Sequence, residues 1–182
     1  MQDISLHLLD VAENSIAAGA TVIKIKINED IQNDILSVVI EDNGKGIPRE
    51  LIEKVLDPFH TSRTTRNVGL GLPLLAQAAR EADGHMTINS VENSGTVLSA
   101  HFRYSHIDRK PIGNIVDTLI VLVAGNPDID LIFDYIKGDK SYSLDTSLIK
   151  AELEGVPIND PSVIAAIKSD LEESLKDLKQ GN

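Results

Sequence analysis

The chain has 182 residues, 42% of them hydrophobic and 25% charged, which suits a globular protein of one domain with a large extension or of two small ones. Its net charge of −11 is shared almost evenly between the halves, so neither half offers the basic footprint of a nucleic-acid binder or a contact for anionic membranes. Cysteine is absent, no apolar run reaches membrane-spanning length and the N-terminus lacks a basic region ahead of an apolar core; disulfides, thiolate metal sites and iron–sulfur clusters are excluded, and a soluble cytoplasmic protein is expected.

Residues 3–19 read as an amphipathic helix, with Ile4, Leu8, Val11, Ala12 and Ile16 at helical spacing and Gly19 at its C-terminal end. In residues 21–28, Ile23, Ile25 and Ile27 alternate with Lys24 and Lys26, the pattern of a strand with one wet face. A polar turn over 29–34 leads to a second strand at 35–41. Pro48 suits the first turn of a short helix reaching Val55. Residues 57–68 read as a loop, 72–82 as a helix stopping at Gly84, and 86–91 with 96–104 as a hairpin. Helix, two strands, two helices and two strands make an α/β (α+β) two-layer sandwich, with a mixed, mostly antiparallel sheet and helices on one face.

Residues 105–114 read as a connection, dividing the chain into 1–106 and a C-terminal α/β extension over 107–182. The apolar run 118–124 is too hydrophobic for an exposed strand, so it is expected to be covered on both faces or to continue the first sheet. Residues 129–137 alternate again, 141–144 form a further strand and 147–154 a short helix. The last helix starts with Asp160 as N-cap and Pro161 at N1. Its Ile164, Ile167, Leu171, Leu175 and Leu178 recur at spacings of three and four. That stripe suits either packing on the chain's own strands or a face for a second copy or a partner.

Four short segments carry chemistry. Asn14 stands on the first helix and offers a side-chain carbonyl to a hard cation. Asp42-Asn43-Gly44-Lys45-Gly46 follows a strand; alone it is first of all a turn signal. Asp57-Pro58-Phe59 precedes a loop bearing Arg63 and Arg66, and Gly69-Leu70-Gly71-Leu72 opens a helix, whose N-terminus attracts anions.

In this order, the four segments resemble the N, G1, F and G2 boxes of the GHKL ATPase superfamily, whose members share the Bergerat ATP-binding fold. The resemblance covers about residues 3–104. The stretch from Glu13 to Thr21 looks most like the mismatch-repair ATPases; that from Asp57 to Pro73 looks most like histidine kinases. It implies Asn14 as the Mg²⁺ ligand, Asp42 as acceptor for the adenine amino group, and Gly44 and Gly46 as backbone passing close to the base. It further implies Thr96 assisting Asp42, Gly69, Leu70, Gly71 and Leu72 on the phosphates, and Arg63 in a lid that closes on them.

The pattern departs from the superfamily in places. Hydrolysing branches place a glutamate one helical turn before the asparagine as general base; here that position is Asp10, one methylene shorter, while Glu13 points elsewhere on the helix. Asp10 is therefore the candidate catalytic residue, with slow hydrolysis. Ala17 stands where a lysine or acid is common, and Asn67-Val68 replaces a common Gly-Thr. No helical hairpin with a phosphoaccepting histidine is expected ahead of a helix starting at residue 3. His7, His60, His85, His101 and His106 read as surface or strand-face residues.

The resemblance implies a cytoplasmic, stand-alone Mg-ATP-binding protein that transfers phosphate to, or signals to, a protein partner, in the manner of an anti-sigma-factor kinase. The alternative is a non-catalytic ATP-sensing module controlling a partner enzyme. Similar stand-alone proteins accompany NAD(P)-linked iron-hydrogenase subunits, and without cysteine this chain would only regulate such a complex. Nucleic acid and membranes are not expected as partners.

Overall fold

A computed structural model describes residues 3–55 and 71–180. Helix α1 (Ile4–Ala17) starts at Asp3, whose carboxylate accepts the Leu6 N–H at 3.0 Å, and buries Ile4, Leu8, Val11 and Ala12 along one face. It closes in a Schellman motif, in which the Ala20 N–H donates to the Ser15 carbonyl and the Gly19 N–H to that of Ile16. Strands β1 (Val22–Asp30) and β2 (Ile35–Asp42), helices α2 (Arg49–Val55) and α3 (Gly71–Glu81), and the hairpin of β3 (His85–Val91) and β4 (Gly95–Arg103) follow. Then come α4 (Ile115–Gly125), β5 (Asp130–Lys137), β6 (Lys140–Asp145), α5 (Thr146–Glu152) and α6 (Pro161–Gln180).

The six strands form one mixed sheet in the order β3-β4-β2-β1-β5-β6. Neighbours are antiparallel except β1 and β5, which run parallel with Ile25 opposite Phe133. Ile23, Ile25 and Ile27 of β1 are buried while Lys24 and Lys26 are exposed, so the period-two pattern separates a covered face from a wet one. The helices form the second layer: α1 packs against α3 and α4, and α4 against α6. The core between the layers holds Leu8, Ile25, Leu36, Leu75, Phe102, Phe133 and Leu171, all essentially inaccessible.

Three sequence expectations change. The run 118–124 lies within helix α4, not in a strand. Asn114 caps that helix by accepting the Asp117 N–H, and Ile115, Leu119, Leu122 and Val123 are buried at helical spacing. Packed between α1 and α6, the helix is apolar around most of its circumference, which hides the 3.6-residue period and imitates a buried strand. Glu29, expected in a polar turn, belongs to β1 and is buried; its carboxylate accepts the hydroxyl of Tyr135 on the neighbouring β5. Burial, then the Glu29 carboxylate, push the Tyr135 phenol far above its ordinary pKa and keep it a donor. His7, expected at the surface, is buried in α1.

Helix α6 starts where Asp160 accepts the Ser162 N–H at 2.9 Å, with Pro161 as its first residue. Its stripe is buried at Ile167, Leu171, Leu175 and Leu178, and Ile164 packs partly against the same core. Contacts with α4 and β6 cover that face within the chain.

Candidate functional site

At one end of β2 and β4, beside α1, a cleft of about 220 Å³ opens between sheet and helices. Val11, Ile40, Ile47, Leu72, Ile88 and Leu98 make its walls apolar, and Asn14, Ser15, Asp42 and Thr96 bring the polar groups. Apolar walls with a few convergent polar atoms are the usual make-up of a small-molecule site.

Asp42, the last residue of β2, is held at both carboxylate oxygens. Oδ1 accepts the Gly44 N–H at 2.9 Å and Oδ2 accepts the Ser15 hydroxyl at 2.7 Å. A carboxylate has about four acceptor directions, so the two bonds orient it and leave capacity for a donor in the cleft. Thr96 lies opposite Asp42 in the β2–β4 register, and Ser90 opposite Thr96 in the β3–β4 register. The hydroxyls of Ser90 and Thr96 are 2.8 Å apart. One row across three strands thus carries Asp42, Thr96 and Ser90.

The loop after Asp42 is tied down on both sides. The Asn43 side-chain carbonyl accepts the N–H groups of Thr21 and Val22 at 2.8 and 2.9 Å, which makes Asn43 a strut rather than a contact. The Lys45 N–H donates to the Ala18 carbonyl, and the Lys45 carbonyl accepts the Asn93 N–H. The Ile47 N–H donates to Ser90 Oγ at 2.7 Å. Gly46 has a φ of +69°, and a β-carbon there would come within 2.2 Å of the Val91 carbonyl oxygen, so only glycine fits. Gly44 is packed against Asp42 and Ala18.

Asn14 lines the cleft, and its amide nitrogen donates to Asp10 Oδ2 at 3.3 Å across one helical turn. With the nitrogen committed, the Asn14 carbonyl oxygen is left for a ligand. Asp10 lies beneath the start of α3, where a β-carbon on Gly71 would come within 1.8 Å of its Oδ2. His7, one turn earlier, has its Nδ1 buried with no hydrogen-bond partner among the described residues, and burial lowers its pKa. Glu13 and Ala17 are exposed, away from the cleft. Among the described residues no three His, Asp or Glu side chains converge as a metal cage.

Of the expected site residues, Asn14, Asp42, Gly46, Leu72 and Thr96 line the cleft, Gly44 supports Asp42, and Asp10 and Gly71 meet beside Asn14. Arg63, Arg66, Gly69 and Leu70, like Phe59 and His60, lie outside the described residues. Two further residues emerge. Ser15 reaches Asp42 from α1 although its sequence position shows only a small residue beside Asn14. Ser90 comes to lie behind the cleft wall, against Thr96, through strand register, which no local pattern reveals.

Residues 2–106 match the family model described as histidine kinase-, DNA gyrase B- and HSP90-like ATPase. The chain belongs to this family. It is 32% identical over 110 residues to an NtrY-like sensor histidine kinase of Rickettsia conorii, covering 60% of this chain and 18% of that protein. The tetrathionate sensor histidine kinase TtrS of Salmonella typhimurium is 33% identical over 103 residues, covering 54% of this chain and 17% of the relative. The chain thus spans less than a fifth of the length of these relatives. Among solved structures, the N-terminal domain of a DNA repair protein shares the fold with a TM-score of 0.55 at 17% identity, covering 80% of this chain and 53% of that one. No helix among the described residues is long and apolar enough to cross a membrane.

Proposed function

We propose that this histidine-kinase-like ATPase domain binds ATP with Mg²⁺ in the cleft and passes the γ-phosphate to a protein partner. The observation that carries the nucleotide reading is Asp42. A carboxylate braced at both oxygens and opening into an apolar slot is an acceptor awaiting an N–H donor, and adenine presents one on its amino group while guanine presents an oxo group in the same place. Such a slot covers the faces of a purine and supplies little else that is polar.

The donor set fits magnesium in a modest role. Mg²⁺ takes few protein ligands and keeps its waters and phosphate oxygens, and one neutral carbonyl at Asn14, with its amide nitrogen held by Asp10, suits that habit. Bound there, the ion would neutralise phosphate charge. The chain's own part is positioning: Asp42 holds the base, the apolar walls exclude water, and the N-terminal end of α3 faces the anionic end of the ligand. In the matched relatives of Rickettsia and Salmonella, whose names describe sensor kinases, the corresponding segment is a small part of a longer protein. Calorimetric titration with ATP and GTP, with and without Mg²⁺, tests the binding. Radiolabelled γ-phosphate transfer in the presence of co-purifying proteins tests the transfer.

One observation favours a second reading, an ATP-responsive regulatory module with little turnover. Asp10 is turned onto Asn14 beneath the start of α3 and Glu13 is exposed, so neither candidate carboxylate lines the cleft where a general base would stand. ATP binding without phosphate transfer to any co-purifying protein supports this module and removes the kinase.

A further inference from the structure

Behind the cleft wall, a small group of oxygens shares its protons in only one complete way. Ser90 Oγ accepts the Ile47 N–H at 2.7 Å, donates to the Gly95 carbonyl at 3.0 Å and lies 2.8 Å from Thr96 Oγ1. A serine hydroxyl has a single proton. If that proton goes to Gly95, Ser90 accepts from both Ile47 and Thr96, and every contact contains a hydrogen. If it goes to Thr96 instead, Ser90 and the Gly95 carbonyl face each other as two acceptors. The complete arrangement therefore uses the Thr96 proton inside the wall, and Thr96 turns only lone pairs toward the cleft. Its register partner Asp42 is also an acceptor, with the Ser15 and Gly44 donors already spent on it.

We propose that Ser90 is a positioning residue for nucleobase choice: by taking the Thr96 proton it turns the Asp42–Thr96 pair into an all-acceptor floor. Where it meets position 6 of a purine, such a floor accepts an amino group and repels an oxo group. A lone threonine would not discriminate, because its hydroxyl rotates to donate or accept as the ligand requires. The inference rests on the reading of the cleft as a purine-nucleotide site.

ATP and inosine triphosphate differ in that amino or oxo group and at the adjoining N1, which is an acceptor in adenine and carries a proton in hypoxanthine. Calorimetric titration of both on the full chain, for wild type, Ser90→Ala, Thr96→Val and the double variant, provides the test. Wild type is expected to prefer ATP, and Ser90→Ala to lower that preference about 3- to 10-fold, the worth of one net hydrogen bond. The unpaired Ile47 N–H weakens both nucleotides alike and leaves the ratio where it was. In the Thr96→Val background, adding Ser90→Ala is expected to leave the ratio unchanged, since Ser90 acts through Thr96. Should Ser90→Ala not fold by circular dichroism, Ser90→Cys keeps the shape with a weaker acceptor and carries the same expectation. An unchanged ratio in a folded Ser90 variant, with wild-type preference intact, overturns the proposal, as does an equal shift in the Thr96→Val background. Wild-type protein that binds neither nucleotide, or both equally, overturns the reading of the cleft instead.

Discussion

Gly71 and Asp10 touch so closely that any side chain at position 71 would displace Asp10: a β-carbon there would stand 1.8 Å from Asp10 Oδ2 and 2.6 Å from its Cγ. The contact joins the first residue of α3 to the carboxylate that holds the Asn14 amide. Gly71→Ala is therefore expected to destabilise the fold by about 1–3 kcal/mol, as overpacking does, although alanine is the better helix former. Combined with Asp10→Ala, which removes the obstructing carboxylate, it should cost less than the sum of the two single changes. Denaturant melts of the four proteins check this, and strict additivity would separate Gly71 from Asp10.

Asp10 also sets how Asn14 points. Removing it in Asp10→Ala leaves the amide free to rotate, so the Mg²⁺-dependent part of ATP affinity should fall while affinity measured in chelator stays constant. Basal hydrolysis by the wild type should be slow, well below the roughly 1–100 s⁻¹ of kinases acting on their substrates. A fast basal ATPase that ignores Asp10→Ala would place the base elsewhere.

Asp42→Asn keeps the shape of the side chain and exchanges an acceptor for a donor. The amide oxygen can still accept the Gly44 N–H, so the melting temperature should move little, but its NH₂ then faces Ser15 and the cleft. ATP affinity is expected to fall about 10- to 100-fold, the worth of a charge-assisted hydrogen bond of about 1.5–3 kcal/mol. Titration calorimetry beside a thermal melt separates binding from folding, and retained affinity would remove Asp42 from base recognition.

His7 makes stability depend on pH in a defined direction. Burial holds its pKa below the ordinary 6.5, so below that pH the unfolded chain binds a proton that the folded protein resists. Its contribution is complete above pH 6.5 and declines as pH falls toward the lowered folded value, with a slope of at most about 1.4 kcal/mol per pH unit. Urea unfolding at several pH values between 5 and 8 should show the decline in wild type and a shallower one in His7→Gln. Identical slopes would assign the pH dependence to other groups.

Glu29 and Tyr135 lie on the parallel strands β1 and β5 and pair across 106 residues of sequence. Tyr135→Phe removes one donor from a buried carboxylate that the Tyr104 hydroxyl also approaches, and is expected to destabilise the protein by about 1–3 kcal/mol. Adding Glu29→Gln should recover part of that loss, because a neutral amide is less costly to bury than an ion. A Tyr135→Phe protein as stable as wild type would show that another group satisfies Glu29.

Much of this protein is determined locally and could be read from the sequence. Strand β1 shows itself because isoleucines and lysines alternate on a sheet with one wet face, and α6 because Asp160, Pro161 and an apolar stripe mark both its start and its buried side. The Asp-Asn-Gly-Lys-Gly turn is legible because backbone geometry restricts which residues serve there, and Asn14 because the four segments in order mark a helix position that the fold brings to the cleft. Other features belong to tertiary structure alone. Residues 118–124 imitate a strand because α4 is covered by helices on two sides, and a segment apolar nearly all round has no period to read. The burial of Glu29 depends on a tyrosine brought alongside by the parallel pairing of β1 with β5. Ser15 enters the cleft through a helix–sheet contact, and Ser90 reaches Thr96 behind its wall through strand register. Their hydroxyls look like any others in the sequence; only the fold sets them 2.7–2.8 Å from Asp42, Ile47 and Thr96.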